Sequence, residues 1–404
     1  MQINIDHKYD NRIQVFTQAL GLTEQDVRAA IARSYTAGAG NADAIRKVFS
    51  KAARGEEITV AAIGGSITEG ASARSINGRG NNATEYTDAL DGENNWFNRL
   101  TDWFQTAFPE TTVNAVNAGI GATPSFLGTF RLEQMILRHK PDFVTVEFSV
   151  NDPSTTHNLL ENEIFDAYES IVRRCLEANI AVVLIFMNDQ DNNGLQRIHS
   201  KIAEHYGVPT ISYHNAVYPD GQLICPWEKL SPDEIHPNNV GHAFLATCLC
   251  NYLDTVLQTT EQSVEYQRPA LPENWLYSDT FYKVFARYAY EFADSASGDF
   301  VYDEAAPNCK KWKGALLNGS GVGTVRLTVP KGAKRVWVQY FNERGSFETD
   351  MAGQKTVCNT SAIGWPKAVW HRIHTGAPLA EDTPLEITTH RSGKVILMGL
   401  LASF

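Results

Sequence analysis

Residues 58–68 read ITVAAIGGSIT, an apolar run that leads into two glycines and a serine. An apolar run without alternation predicts a strand buried on both faces, as in a parallel sheet covered by helices. The glycines permit a sharp turn where the strand ends, which presents Ser66 at the carboxyl edge of the sheet. Ligands and chemistry collect at that edge in open α/β sheets. For this stretch alone, an ordinary strand-to-loop turn is the alternative.

The chain from Ile58 to Gln258 alternates between buried strands and amphipathic helices. Strands are predicted over 58–63, 112–117, 143–150, 180–187 and 210–213. Helices are predicted over 96–108, 126–139, 163–178, 194–206 and 237–257, the last with Pro237 at its first position. Five strands separated by helices predict a doubly wound parallel sheet of the α/β class.

The regions on either side of this sheet have different patterns. Residues 1–57 predict a helical segment in which Thr23 caps one helix and Asn41 or Asp43 begins another. After a connector that contains prolines, short alternating runs in 280–404 are typical of an antiparallel β-sandwich. We therefore expect a helical segment over 1–57, a catalytic domain over 58–260 and a β-sandwich domain over 261–404.

Composition narrows the partners and the compartment. The net charge of −11 argues against nucleic acid or an anionic membrane as the main partner. Six cysteines without CxxC pairing predict buried thiols in a reducing compartment. No signal peptide is evident at the amino terminus, and no later run is expected to span a membrane. We expect a cytoplasmic protein without a membrane partner, either a monomer or a homo-oligomer.

Three further stretches at predicted strand ends accompany Ser66. They are NAGIGA at 117–122, SVND at 149–152 and DEIHPN at 233–238. An acyl-transfer enzyme needs a serine, a base, a carboxylate that orients the base, and donors for the oxyanion. Each of these requirements has a candidate among Ser66 and the three stretches. Alternatively, Asp233 could only cap the last helix, and Asn151 could be a turn residue.

This arrangement resembles the SGNH (GDSL-like) hydrolase family over roughly residues 58–258. The resemblance implies that Ser66 is the nucleophile, His236 the general base and then acid, and Asp233 the residue that holds the histidine tautomer. It also implies an oxyanion site made of the Ser66 N–H, the Ala122 N–H and the Asn151 amide. No cofactor and no metal are implied.

Two positions depart from the family pattern. Ser149 stands where the third block has glycine, and Ala122 stands where the second block has its oxyanion glycine. An alanine N–H can serve as donor, but alanine is strained if the site needs a positive φ. Gly121 is the second candidate for that donor.

Several features favour a carbohydrate substrate. The polar segment 69–93 offers partners for sugar hydroxyls, and we expect Glu69, Asp152 and Trp227 to contact the substrate. The sandwich domain carries Trp312, Trp337, Trp365 and Trp370, which could stack on sugar rings or form its core. An SGNH domain followed by a β-sandwich resembles two-domain carbohydrate acetylesterases, including bacterial acetyl-mannan esterases. This implies removal of O-acetyl groups from oligosaccharides, with a sandwich similar to a carbohydrate-binding module.

Other functions use the same pattern. A lipid esterase or thioesterase of this fold would carry the same triad, but apolar loops would line its acyl pocket. A non-catalytic carbohydrate-binding protein would keep the sandwich and lose the triad. His242 is expected to pack a helix, and His371 and His374 lack the carboxylate cluster of a metal site.

Overall fold

A computed structural model describes residues 8–36, 40–73, 95–152, 161–261, 264–267, 269–306, 309–360, 367–391 and 393–404. Most of the polar segment 69–93 therefore lies outside the described residues, from 74 onwards. The chain divides into two compact units, the first ending at Tyr277 and the second running from Ser278 to Phe404.

The first unit contains a five-stranded parallel sheet. Its strands are β1 (Ile58–Gly64), β2 (Val113–Gly119), β3 (Phe143–Glu147), β4 (Ala181–Phe186) and β5 (Thr210–Ser212), in the order β2-β1-β3-β4-β5. All residues of β3 and β4 are buried, as their continuous apolar runs predict. Gly64 pairs with Gly119 of β2 and with Glu147 of β3, so the carboxyl ends of these three strands meet. The predicted doubly wound sheet is confirmed.

Helices cover both faces of the sheet. They are α1 (Lys8–Leu20), α2 (Glu24–Thr36), α3 (Asp43–Ala53), α4 (Ser66–Glu69), α5 (Trp96–Ala107), α6 (Ser125–Met135), α7 (Glu161–Glu177), α8 (Gln196–Tyr206), α9 (Tyr213–Val217) and α10 (Asn239–Gln258). One core joins α1, α3, α5 and α10, through Phe16, Phe49, Phe104 and Phe244. The amino-terminal helices thus share the core of the catalytic unit. Thr23 precedes α2 and its hydroxyl accepts from Asp26 N–H, as predicted.

Helix α10 is long and apolar enough to span a membrane by length and composition. However, 72% of its apolar window is buried inside the protein, as expected for a core helix. The prediction that no run reaches spanning length is corrected at this helix. The apolar side chains of α10 pack against other elements of the first unit.

The connector after α10 belongs to the first unit. The buried carboxylate of Glu169 in α7 accepts the backbone N–H groups of Leu276 and Tyr277, at 2.6 and 2.8 Å. These bonds hold the connector to α7. The boundary between the units therefore falls after Tyr277, further along the chain than the predicted boundary at 260.

The second unit is antiparallel β structure with one short helix, α11 (Ala289–Phe292). Its strands are β6 (Val284–Tyr288), β7 (Ala296–Asp303), β8 (Ala315–Val329), β9 (Arg335–Phe341), β10 (Ser346–Met351), β11 (Gln354–Asn359), β12 (Ala368–Thr375), β13 (Thr383–Thr389) and β14 (Val395–Ser403). The order is β11-β10-β13-β8-β14-β9-β12, with β6 on β14 and β7 on β8. The fifteen-residue strand β8 pairs with β13 through one half and with β14 through the other. The predicted antiparallel β domain is confirmed.

Candidate active site

Ser66 lies at the turn between β1 and α4. It is the first residue of α4 and is 6% exposed. Neither glycine before it has room for a side chain. A Cβ on Gly64 would lie 2.1 Å from the Thr68 hydroxyl, and one on Gly65 would lie 1.9 Å from Oδ1 of Asn151. The two glycines thus allow Thr68 and Asn151 to approach the backbone next to Ser66.

The loop before α10 places His236 between Ser66 and Asp233. Nε2 of His236 lies 2.8 Å from Oγ of Ser66, and Nδ1 lies 2.9 Å from Oδ2 of Asp233. If Nδ1 carries the proton, the ring donates to the carboxylate, and Nε2 is free to accept the serine proton. The three predicted triad residues therefore come together in one hydrogen-bonded chain.

Hydrogen bonds from side chains to backbone groups fix the Asp233–His236 loop. Oδ1 of Asp233 accepts the N–H groups of Ile235 and His236, at 2.8 and 2.7 Å. Oγ of Ser231, a buried residue, lies 2.7 Å from the Asp233 carbonyl oxygen and 2.5 Å from that of His236. One carboxylate oxygen thus shapes the loop while the other orients the imidazole.

Asn238 is the N-cap of α10. Its Oδ1 accepts the N–H groups of Val240 and Gly241, at 2.9 and 3.0 Å. Pro237 precedes the cap, which corrects its predicted place at the first helical position. Because Asn238 fills the cap, Asp233 does not cap α10, and its carboxylate serves the loop and His236 instead.

The ionisation of Asp233 follows from these contacts. Partial burial on its own would raise the pKa of the Asp233 carboxyl, but several interactions lower it. The hydrogen bond and charge of His236, together with the backbone N–H groups of His236 and Ile235, leave that pKa below its usual value. The carboxylate is therefore charged where the imidazole needs a partner.

Two of the predicted oxyanion residues, Asn151 and Gly121, lie close to Gly65 and Ser66. Asn151 lies against Gly65, and its Oδ1 is buried without a hydrogen-bond partner among the described residues. Ala122 has a φ of +55°, a left-handed conformation that costs an alanine about 1–2 kcal/mol. The condition under which alanine would be strained is therefore met. Gly121, the second candidate, already donates its N–H to Oε2 of Glu69, at 2.7 Å.

The three predicted substrate-contacting residues are all buried. Glu69 is 5% exposed and binds the Gly121 N–H. Asp152 is 1% exposed, and its Oδ1 accepts the Ser125 N–H at 2.7 Å while Oδ2 lies 3.0 Å from Nε2 of the buried His199. Both carboxylates bind protein groups, and their contact with a substrate stays a prediction.

The aromatic residues considered for substrate contact differ in their burial. Trp227 is 7% exposed, belongs to the core under the loop, and donates its indole N–H to the Asp233 carbonyl oxygen. In the second unit, Trp312 and Trp337 are 2% and 0% exposed. These three rings are core residues, whereas Trp370 is half-buried in β12 and Trp365 lies outside the described residues.

A buried arginine ties the strand ends together, and sequence reasoning missed it. Arg131 of α6 is fully buried, and its guanidinium donates to the carbonyl oxygens of Gly64 and Ala118 and to the Thr123 hydroxyl. Its signal in the sequence is a lone charge between Phe130 and Leu132. Arg131 fixes the ends of β1 and β2 beneath the candidate nucleophile.

Glu147, the last residue of β3, is a second functional candidate that sequence reasoning missed. It is fully buried, and burial, with the nearby charge of Asp152, raises the pKa of its carboxyl to about 8. His242 of α10 is also fully buried, and burial lowers its pKa to about 4. Its Nε2 lies 2.9 Å from the Ala71 carbonyl oxygen, as expected for a packing histidine.

Among the described residues, no group of three or more His, Cys, Asp and Glu side chains could hold a metal ion. A cavity of about 350 Å³ lies in the same unit and includes Phe186, Gln196, Ser212 and Asn215 in its lining. Its polar groups bond one another, and no triad residue lines it.

Comparison with known structures supports the two-unit fold. The chain matches a two-domain esterase active on acetylated mannans, with and without co-crystallized mannopentaose, at a TM-score of 0.72 and 24% identity. These matches cover 92% of this chain and 97% of that one. A catalytic mutant of an acetylxylan esterase from Geobacillus stearothermophilus matches 48% of the chain and 94% of its own, at 18% identity and a TM-score of 0.38.

Sequence comparison identifies the domain of the first unit. No curated protein matches the sequence. The model of the GDSL-like lipase/acylhydrolase family matches residues 62–244, which include Ser66, His236 and the strand ends around them. The predicted resemblance to SGNH (GDSL-like) hydrolases is confirmed. Residues 62–244 of the first unit are therefore similar to the hydrolase domain of the GDSL-like lipase/acylhydrolase family.

Proposed function

We propose that the chain is a serine esterase that removes O-acetyl groups from acetylated oligosaccharides through an acyl-enzyme. The observation that carries this proposal is the hydrogen-bonded chain from Asp233 through His236 to Ser66. It lies within the segment that matches an acylhydrolase family. A nucleophilic serine, a base and oxyanion donors suffice to hydrolyse an ester without a cofactor.

In the acylation half, Oγ of Ser66 attacks the acetyl carbonyl carbon as Nε2 of His236 takes the serine proton. The carbonyl oxygen becomes an oxyanion, for which we propose the N–H groups of Ser66 and Ala122 and the amide of Asn151 as donors. When the tetrahedral intermediate collapses, the ester C–O bond breaks. His236 returns the proton to the sugar oxygen, which leaves as an alcohol.

In the deacylation half, a water molecule attacks the acetyl-serine carbonyl carbon, and His236 takes its proton. Collapse of the second intermediate breaks the bond to Oγ of Ser66, and His236 returns the proton to that oxygen. Acetate leaves and the serine is restored. Asp233 keeps Nδ1 protonated and stabilises the imidazolium in both halves.

The acetylated-glycan part of the proposal is supported by the shared two-unit fold. The structure that matches 92% of this chain is that of an esterase active on acetylated mannans. Acetylated mannan is therefore the first glycan to test. The polar character of the described loop residues around the triad, including Asp189 to Asn193, suits a sugar alcohol better than a long acyl chain.

The test compares acetate release from acetylated mannan, xylan and chitin fragments with hydrolysis of p-nitrophenyl esters of increasing chain length. We expect acetyl esters on one glycan to be preferred and Ser66→Ala to abolish hydrolysis without changing the unfolding temperature. Faster turnover of long acyl esters with untouched glycans would assign the enzyme to the lipid esterases. Activity that survives Ser66→Ala would refute the triad.

The location of the enzyme is also proposed to be cytoplasmic. All six cysteines are buried and unpaired, which suits a reducing compartment. Cell fractionation followed by an esterase assay tests this. Activity recovered outside the cytoplasm would contradict it.

A further inference from the structure

Glu69 makes a contact that the triad does not explain. It follows Ser66 by three residues, so the two share the single turn of α4. Its carboxylate accepts the backbone N–H of Gly121 at 2.7 Å, although it is 5% exposed. A Cβ on Gly121 would lie 3.0 Å from Oε2 of Glu69 and 3.8 Å from Cβ of Ser66. Gly121 therefore lies next to both the Glu69 carboxylate and the side chain of Ser66.

A carboxylate at this position disfavours the reaction electrostatically, so its presence calls for a structural reason. Negative charge develops on the substrate oxygen in the transition state, and a nearby anion opposes that charge. The hydrogen bond to Gly121 gives that reason. It joins the helical turn that carries Ser66 to the turn 117–122, in which Ala122, the proposed oxyanion donor, directly follows Gly121.

Other contacts show how closely these two turns are joined. The amide of Asn117 donates to the Thr68 carbonyl oxygen at 2.8 Å, and its Oδ1 accepts the Gly119 N–H at 2.8 Å. A Cβ on Gly119 would lie 2.2 Å from the backbone nitrogen of Glu69. Asn117 thus fixes the start of the turn, and Glu69 fixes its end, directly before Ala122.

The Glu69 bond also decides between the two candidate donors. A backbone N–H that is 2.7 Å from a carboxylate is already engaged and does not serve an oxyanion. With Gly121 held in this way, the following peptide carries the available N–H. Ala122, whose φ is +55°, follows directly after the glycine that Glu69 holds, so the strained residue adjoins the fixed peptide.

We propose that Glu69 is a positioning residue that holds the Gly121 N–H and thereby orients the Ala122 N–H toward the oxyanion. This inference rests on the proposed esterase function. It replaces the substrate contact that the sequence suggested for Glu69. The essential property of the side chain is a hydrogen-bond acceptor at the end of a three-carbon reach, and its negative charge is dispensable.

The test measures kcat and KM on p-nitrophenyl acetate, with labelling by a fluorophosphonate as a second readout of oxyanion stabilisation. Glu69→Ala should lower kcat about tenfold to hundredfold with KM unchanged, since only transition-state stabilisation is lost. Labelling should slow in parallel. Glu69→Gln keeps an acceptor oxygen at the same reach and should restore kcat to within about threefold of wild type.

Two further variants separate this role from stability. Glu69→Asp withdraws the carboxylate by one carbon, so it should lower kcat even where Glu69→Ala does not fold. Glu169 is the matched control, because it is also a buried glutamate whose carboxylate accepts backbone N–H groups, but in α7. Glu169→Ala should lower the unfolding temperature and leave kcat unchanged.

Three outcomes would overturn the inference. A kcat of Glu69→Ala or Glu69→Asp at or above wild type would show that Gly121 is released to serve as a donor, or that the bond is idle. A rise in KM alone would return Glu69 to substrate binding. A Glu69→Gln variant as slow as Glu69→Ala would assign the role to charge. With active wild type and inactive Ser66→Ala, these results reject only this inference, whereas an inactive wild type rejects the esterase function itself.

Discussion

The indole Nε1 of Trp227 donates a hydrogen bond to the carbonyl oxygen of Asp233, at 2.7 Å. The tryptophan therefore supports the Asp233 backbone from the core of the first unit. The same carbonyl oxygen accepts a hydrogen bond from the Ser231 hydroxyl, so two buried side chains fix the peptide group after Asp233. The loop that carries Asp233 and His236 owes its position to the core beneath it.

Trp227→Phe keeps most of the ring volume and removes the donor. We expect kcat to fall about fivefold with KM unchanged, because the loss of about 1 kcal/mol falls on the orientation of the acid–base pair. Steady-state kinetics on p-nitrophenyl acetate measure this. If KM rises instead while kcat holds, Trp227 touches the substrate after all.

Asp233→Asn tests the orienting carboxylate. Asparagine can still accept the N–H groups of Ile235 and His236 through Oδ1, so the loop should keep its shape. Its amide faces Nδ1 as a donor and favours the wrong tautomer, so kcat should fall by about 10⁴. The unfolding temperature serves as control and should change little. A kcat within tenfold of wild type would exclude Asp233 from the triad.

Ala122→Gly should relieve the left-handed backbone at that position. We expect the free energy of unfolding to rise by about 0.5–1 kcal/mol, the difference between strain relieved and the added freedom of glycine in the unfolded chain. Urea denaturation measures it. The matched control is Ala203→Gly in helix α8, which should instead cost about 1 kcal/mol. Equal losses in both variants would show that the turn at Ala122 is unstrained.

Glu147 should make stability depend on pH in the neutral range. Burial raises the pKa of its carboxyl to about 8 in the folded state, above the value of 4.5 for an exposed glutamate. Between these values the folded state binds the extra proton, so the free energy of unfolding should fall as pH rises from about 5 to 8. Denaturant unfolding of Glu147→Gln at pH 5, 7 and 9 should show that this decline is weakened.

The control for that experiment is Glu110→Gln, which changes an exposed carboxylate. It should keep the pH dependence of the wild type. A Glu147→Gln variant whose stability declines as steeply as the wild type would show that another group is responsible.

The sheet and the triad could be predicted because their signals are local. Continuous apolar runs identify β1, β3 and β4, and parallel strands bring their carboxyl ends to one edge. Ser66 and Asn151 follow the ends of β1 and β3 within a few residues, whereas the Asp233–His236 pair is found through its own motif in the loop before α10. Strands such as β7, β10 and β11 cannot be located from the sequence, since their alternating polar residues resemble loops when neighbouring strands are unknown.

The roles of the residues around the triad could not be predicted, because burial depends on contacts between segments that are distant in sequence. Glu69 and Asp152 resemble substrate ligands in sequence, yet their partners are a glycine N–H in one turn and a histidine in α8. Arg131 lies in an apolar helix, and only the meeting of β1 and β2 supplies its carbonyl partners. The φ of Ala122 likewise depends on how that turn is held.

The two halves of the hydrogen-bonded chain differ greatly in sequence separation. His236 reaches Asp233 across three residues, whereas it reaches Ser66 across 170. Closing the longer loop costs more chain entropy and needs α10 to dock on the sheet, so it belongs to a later stage of folding. The rate at which esterase activity recovers after dilution from denaturant would thus report the docking of α10 near β1. A partly folded chain with an intact Asp233–His236 turn would be inactive.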